Sequence, residues 1–134
     1  MLLGALLVLT LMSFRSFGRN PLAGVFGEPL DGSAWVVKVR RQSLIAFGSK
    51  DTLIFDKGQF SSMEKLTDGF LPAGYSAPGR LSTDAVWESA LKGEDGSVLN
   101  WQGRIEDDRM EGTVVWTRSD GTTRRYRFHG RRKD

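Results

Sequence analysis

From Val98 to Gly130 apolar and polar residues alternate at period two, which predicts three antiparallel, half-buried strands. Asp107-Asp108 fits a two-residue hairpin turn. Glu106 then faces Arg109, an opposite-charge cross-strand pair. Ile105 faces Met110, Gly103 faces Gly112, Trp101 faces Val114 and Leu99 faces Trp116, all on one apolar side. A slip of one residue would turn that whole side to water.

The second turn is Ser119-Asp120-Gly121. A two-residue Asp-Gly turn would set Trp116 against Arg125 and Val114 against Arg127, mixing core and solvent faces. A three-residue loop with Gly121 left-handed, the G1-bulge form, repairs the pairing. Val114 then meets Tyr126, Gly112 meets Phe128, and Arg125, Arg127, His129 and Arg131 point outward. Val86–Leu91 reads as a preceding strand, with Leu91 on Leu99, Ser89 on Trp101 and Trp87 on Gly103. One layer across four strands is therefore Trp87, Gly103, Gly112, Phe128. Glycine weakens a strand and needs a geometric reason. Tight curvature, with rings covering bare backbone, supplies one. That curvature favours a closed or nearly closed barrel over a sandwich of the same strands.

Upstream, Trp35–Arg41 is a strand with Trp35, Val37 and Val39 inward and Lys38 and Arg40 outward. Leu44–Phe47 is a short strand or its continuation. Thr52–Phe55 and Gln59–Ser62 form a hairpin around Lys57-Gly58, with Phe55 on Phe60 and Leu53 on Ser62. Residues 63–82 show little periodicity and read as one long loop, of the kind that often carries function. The expected fold is all-β: an antiparallel up-and-down meander of about eight strands, closed or nearly so, behind an N-terminal apolar segment.

Met1–Phe14 carries no charged side chain. As a helix it spans about 21 Å, short of the roughly 30 Å hydrocarbon core of a bilayer. The length suits the apolar region of a signal peptide. Arg15 and Arg19 follow it, which by the positive-inside tendency opposes export of what comes after. Residues 1–18 are expected to be a signal peptide or membrane anchor, 19–33 a linker, 34–131 the barrel and 132–134 a basic tail. The expected location is exported, periplasmic or secreted, with residues 1–14 retained as an anchor in one version.

The 134 residues leave room for one domain, and four Trp and eight Phe can fill a small core. Cysteine is absent, which removes disulfides, thiol nucleophiles and cysteine metal clusters. The net charge is +3, yet residues 118–134 hold seven Lys/Arg against two Asp. The basicity therefore belongs to the last strand and tail.

The segments DTLIFDKGQFSS, GFLPAGYSA, WQGRIEDDRMEGTVVW and YRFHG resemble a group of small exported bacterial β-proteins of lipocalin-like shape. The resemblance runs over roughly Trp35 to Gly130 and implies a lipocalin-like barrel and an export route. Members often carry a Cys near the Met63 region. This chain has none, and no catalytic residue transfers.

The chemistry on view is sparse. His129 is the only histidine and faces Glu111, a surface cross-strand pair without a nucleophile beside it. One His and no Cys do not make a zinc site. The carboxylates Asp51, Asp56, Glu64, Asp68, Asp84 and Glu88 follow no catalytic spacing, and no phosphate-cradling glycine loop precedes a helix. The expectation is a non-enzyme without metal or cofactor. Two binding readings follow. In the first, the barrel holds a small apolar ligand at one end, near Phe60, Phe70, Tyr75 and Trp101, gated by the 63–82 loop. In the second, an anchored accessory subunit docks on a membrane protein complex through Arg125, Arg127 and Arg131, or meets anionic lipid headgroups. Nucleic acid is a poor fit, because Tyr126 and Phe128 face the core and leave no stacking surface.

Overall fold

Eight strands follow one another around a closed antiparallel barrel in the computed structural model, which describes residues 30–42, 48–77 and 85–134. They are β1 (Ser33–Arg41), β2 (Gly48–Asp56), β3 (Gln59–Ser62), β4 (Ala73–Ser76), β5 (Ala85–Lys92), β6 (Val98–Glu106), β7 (Arg109–Thr117) and β8 (Thr123–Arg132). A single helical turn, α1 (Met63–Leu66), follows β3. The expected leader, residues 19–29 of the expected linker, and Leu44–Phe47 lie outside the described residues.

The register matches the sequence pattern pair by pair. Glu106 faces Arg109, Trp101 faces Val114 and Leu99 faces Trp116. Gly112 faces Phe128 and Val114 faces Tyr126, with Gly121 at φ 89° in the three-residue loop. Leu91 faces Leu99 and Trp87 faces Gly103. Phe55 faces Phe60 and Leu53 faces Ser62. The barrel closes where β1 meets β8, with Val37 on Gly130 and Val39 on Phe128. The sandwich alternative is thereby excluded.

Close backbone approach at three inward glycines makes the closure. A Cβ on Gly112 would overlap the Gln102 carbonyl oxygen and lie 2.7 Å from Phe128 Cζ. One on Gly103 would lie 2.7 Å from Trp87 Cζ2. One on Gly130, at the seam, would run into the Val36 carbonyl and lie 2.6 Å from Val37 Cα. The Trp87 and Phe128 rings therefore cover Gly103 and Gly112 as the four-strand layer requires. Aromatic packing continues inward from there. Phe55 meets Phe60 at 5.1 Å and Trp87 at 4.8 Å between ring centroids, and Trp101 meets both Phe60 and Phe128 at 5.2 Å. Each such pair adds about 0.5–1.5 kcal/mol beyond the area it buries.

Three expectations need correction. Residues 63–82 are not one loop, because α1 and strand β4 lie within them. Ala-Gly-Tyr-Ser is too short and too small-sided to show a period, and only two residue pairs join β4 to each neighbour. Ser33 belongs to β1, where it is buried, rather than to a linker. Arg132 belongs to β8 rather than to a tail, with its guanidinium 5.6 Å from the Trp35 ring centre.

Gly112→Ala should destabilise the barrel by about 3 kcal/mol, because backbone stands in the way and cannot rotate aside. Gly74→Ala should stay within about 0.5 kcal/mol, since the nearest atom to its Cβ would be 3.9 Å away. Urea unfolding of both variants compares them. Equal stabilities would refute the closure role of Gly112.

Candidate functional site

Of the four residues expected around an apolar ligand, Phe60, Phe70 and Trp101 belong to one buried hydrophobic cluster, and Tyr75 packs half-buried against it. Phe60 and Trp101 are buried and in ring contact with each other, and Tyr75 stands edge-on to Phe55 at 5.0 Å. Phe70 packs beside Gly93, where an added Cβ would be 2.9 Å from its ring. The rings contact one another across the interior. Three indole N–H groups, of Trp87, Trp101 and Trp116, are buried with no acceptor. A buried donor left unpaired costs about 1–3 kcal/mol.

The two ends of the barrel are held by polar clamps. At one end Asp31, in the segment expected to be linker, accepts hydrogen bonds from the backbone N–H of Lys57 (3.0 Å) and Gly58 (2.8 Å) and from the Tyr75 hydroxyl (2.9 Å). Lys57 sits at φ 52° and Gly58 at φ 77°, so the hairpin takes the twist that suits its strands at a cost to the lysine. Asp31 holds that turn in place. Burial, then the hydrogen bond from its hydroxyl to Asp31, pushes the Tyr75 phenol well above the usual tyrosine range. At the other end buried Asp51 accepts from the Ser62 hydroxyl and from the Glu64 N–H (3.0 Å), while Ser62 caps α1 by accepting from the Lys65 N–H. Lys65 and Arg118 approach the Trp116 ring at 5.6 and 5.1 Å, which ties α1 and the last loop to β7.

The outer wall carries the charge. Arg125, Arg127 and Arg131 are exposed on β8, as expected. Barrel closure then brings β1 beside them, and β2 beside β1. Arg40 stands directly opposite Arg127, Lys38 opposite Lys50, and Arg109 opposite Arg131. Directly opposed like charges destabilise a sheet. Arg131 reaches Asp108 at 3.3 Å. Among the described residues, Lys38, Arg40, Lys50, Arg109, Arg125 and Arg127 have no ion-pair partner. An open groove of about 870 Å³ runs over this wall, lined by Lys38, Lys50, Arg104, Arg109 and Arg131 with Glu106, Glu111, His129 and Val36. His129 is exposed between Glu111 and Lys38, as the register requires.

Sequence reasoning placed the cations of β8 but not their continuation onto β1 and β2. Lys38 and Arg40 were legible as outward residues. Their meeting with β8 depends on first-to-last strand pairing, which has no local signature. The outward polarity is the reverse of a membrane-spanning barrel, whose outer band is apolar. No helix among the described residues is long and apolar enough to cross a membrane, and no group of three or more His, Cys, Asp or Glu among them could hold a metal ion.

Raising the Tyr75 pKa in the folded state stabilises the fold fully below the unfolded tyrosine value near 10. That contribution is lost as pH rises above 10, because the unfolded chain gives up a proton the folded one keeps. Alkaline unfolding followed by tryptophan fluorescence should therefore steepen above pH 10, and Tyr75→Phe should flatten that limb. An unchanged alkaline limb would refute it. Asp31→Ala should lower stability by about 1–2 kcal/mol.

Comparison of the chain with family models, with curated proteins and with solved structures gave no match.

Proposed function

We propose that this chain is a non-catalytic binding module that uses its barrel as a scaffold and meets its partner on the outer wall formed by β8, β1 and β2. The observation that carries this reading is the set of three directly opposed cation pairs, Lys38–Lys50, Arg40–Arg127 and Arg109–Arg131. Folding alone gives no reason to gather like charges on one face. An anionic partner reverses their sign of contribution, because each cation then gains a counter-charge. The reading is closest to the accessory-subunit expectation, with Arg125 and Arg127 at its centre. Export, with Met1–Phe14 cleaved or kept as an anchor, belongs to the same proposal and rests on the apolar run of that segment.

A second reading keeps the small-ligand expectation. It is favoured by the unpaired indole N–H groups of Trp87 and Trp101, which would suit a compact molecule with hydrogen-bond acceptors. The aromatic contacts described above leave it second.

Charge reversal at Arg125 and Arg127 separates the two. The full chain, tagged in its native cells and cross-linked, should lose its co-purifying partner by about tenfold in the Arg125→Glu/Arg127→Glu variant. Unchanged recovery would count against the outer wall. Native mass spectrometry of the unaltered protein should show the bare chain mass, and a bound small molecule would move the second reading to first place.

A further inference from the structure

The groove over the closure seam has a definite order of charges. Across the strands one row reads Arg104, Glu111, His129, Lys38, Lys50, on β6, β7, β8, β1 and β2 in turn. The row beside it holds Arg109, Arg131 and Val36. Five cations and two glutamates thus line one concavity, and Val36 offers exposed apolar surface, 37% accessible. We infer that this groove is a docking site for an acidic, extended segment of a partner protein, an inference that rests on the outer-wall reading above.

Four features point to that occupant. The first is charge complementarity, since Lys38 and Lys50 oppose each other without an ion-pair partner. The second is shape. An open groove that passes Val36 and Gly130 receives an extended chain along its length, whereas a planar lipid surface meets its rims first. The third is the pair Glu106 and Glu111, which repel a uniform polyanion but accept a chain of mixed character. No Phe, Tyr or Trp lines the groove, so nucleic-acid bases lack the aromatic platforms that single-strand binders use. The fourth is closure itself. With β1 paired to both β2 and β8, the seam has no free strand edge for a partner to extend. Recognition must therefore run through side chains, and an extended peptide presents alternate residues to one face.

The test uses a fluorescein-labelled peptide of five Glu-Ala repeats and the full chain in non-ionic detergent. Anisotropy should rise saturably at low salt and the affinity should fall by roughly tenfold between about 0.05 and 0.3 M salt. Lys38→Glu should weaken binding by about tenfold, and Lys92→Glu, outside the groove on β5, should leave it unchanged. Lys38→Glu also converts a like-charge pair into an opposite-charge pair, so its Tm should hold or rise by a few degrees, roughly. Loss of binding with a retained Tm cannot then be unfolding. Absence of peptide binding, or binding indifferent to Lys38→Glu, overturns the inference. So does a preference for phosphatidylserine over phosphatidylcholine vesicles that Lys38→Glu abolishes while the peptide does not bind, which would assign the groove to lipid. If the peptide fails but Arg125→Glu/Arg127→Glu still releases the native partner, the occupant is wrong and the outer-wall reading stands.

Discussion

Close approach of bare backbone at Gly103, Gly112 and Gly130 is the constraint on which the rest of the molecule depends. Eight strands, two of them only four residues long, must curve hard to meet. A side chain at Gly112 or Gly130 would strike a neighbouring carbonyl and hold the strands apart. Removing the side chain exposes backbone and forfeits packing, which is why Trp87 and Phe128 lie over Gly103 and Gly112. Curvature and aromatic filling are therefore one device. The seam between β1 and β8 closes because Gly130 lets Val37 come close.

The same device fills the interior with rings. Trp87 and Phe128 reach inward from the glycine layer and meet Phe55, Phe60 and Trp101. A small barrel can be filled by its own side chains or can hold a ligand, and these ring contacts are why the small-ligand reading is ranked second. Closure meanwhile brings the outward residues of β1 against those of β8, turning two ordinary polar faces into one basic wall. The groove over that wall is lined by the long side chains of Lys38, Lys50, Arg104, Arg109 and Arg131.

Much of the fold is legible in the sequence. The β5 to β8 register follows from period-two alternation plus the turn chemistry of Asp107-Asp108 and Gly121, because a one-residue error would turn the apolar face to water or, at the second turn, set Arg125 and Arg127 against core residues. The Phe55–Phe60 hairpin was legible for the same reason. β4 was not, since Ala73 and Gly74 carry no hydrophobic signal and Tyr75 alone cannot set a period. Asp31 was hidden in a proline- and glycine-rich stretch, where nothing local marks a carboxylate that clamps a turn 26 residues away. The basic wall was half legible. Arg125, Arg127 and Arg131 stood out by density, whereas Lys38, Arg40 and Lys50 joined them only through closure.

What separates a functional surface from a merely solvated one is whether folding has a use for it. Glu106–Arg109 and Arg104–Glu111 have such a use, as opposed charges facing each other across strands. Lys38–Lys50 and Arg40–Arg127 have none, and a single Glu at either pair would have served the sheet better. The penalty per pair is small, of the order of a few tenths of a kcal/mol at an exposed site. It is nevertheless concentrated on adjoining strands beside the closure seam, while the neighbouring pairs on β6 and β7 are complementary. A surface left unoptimised for folding at one place and optimised beside it is what the proposed anionic partner would account for, because each cation would then gain a counter-charge.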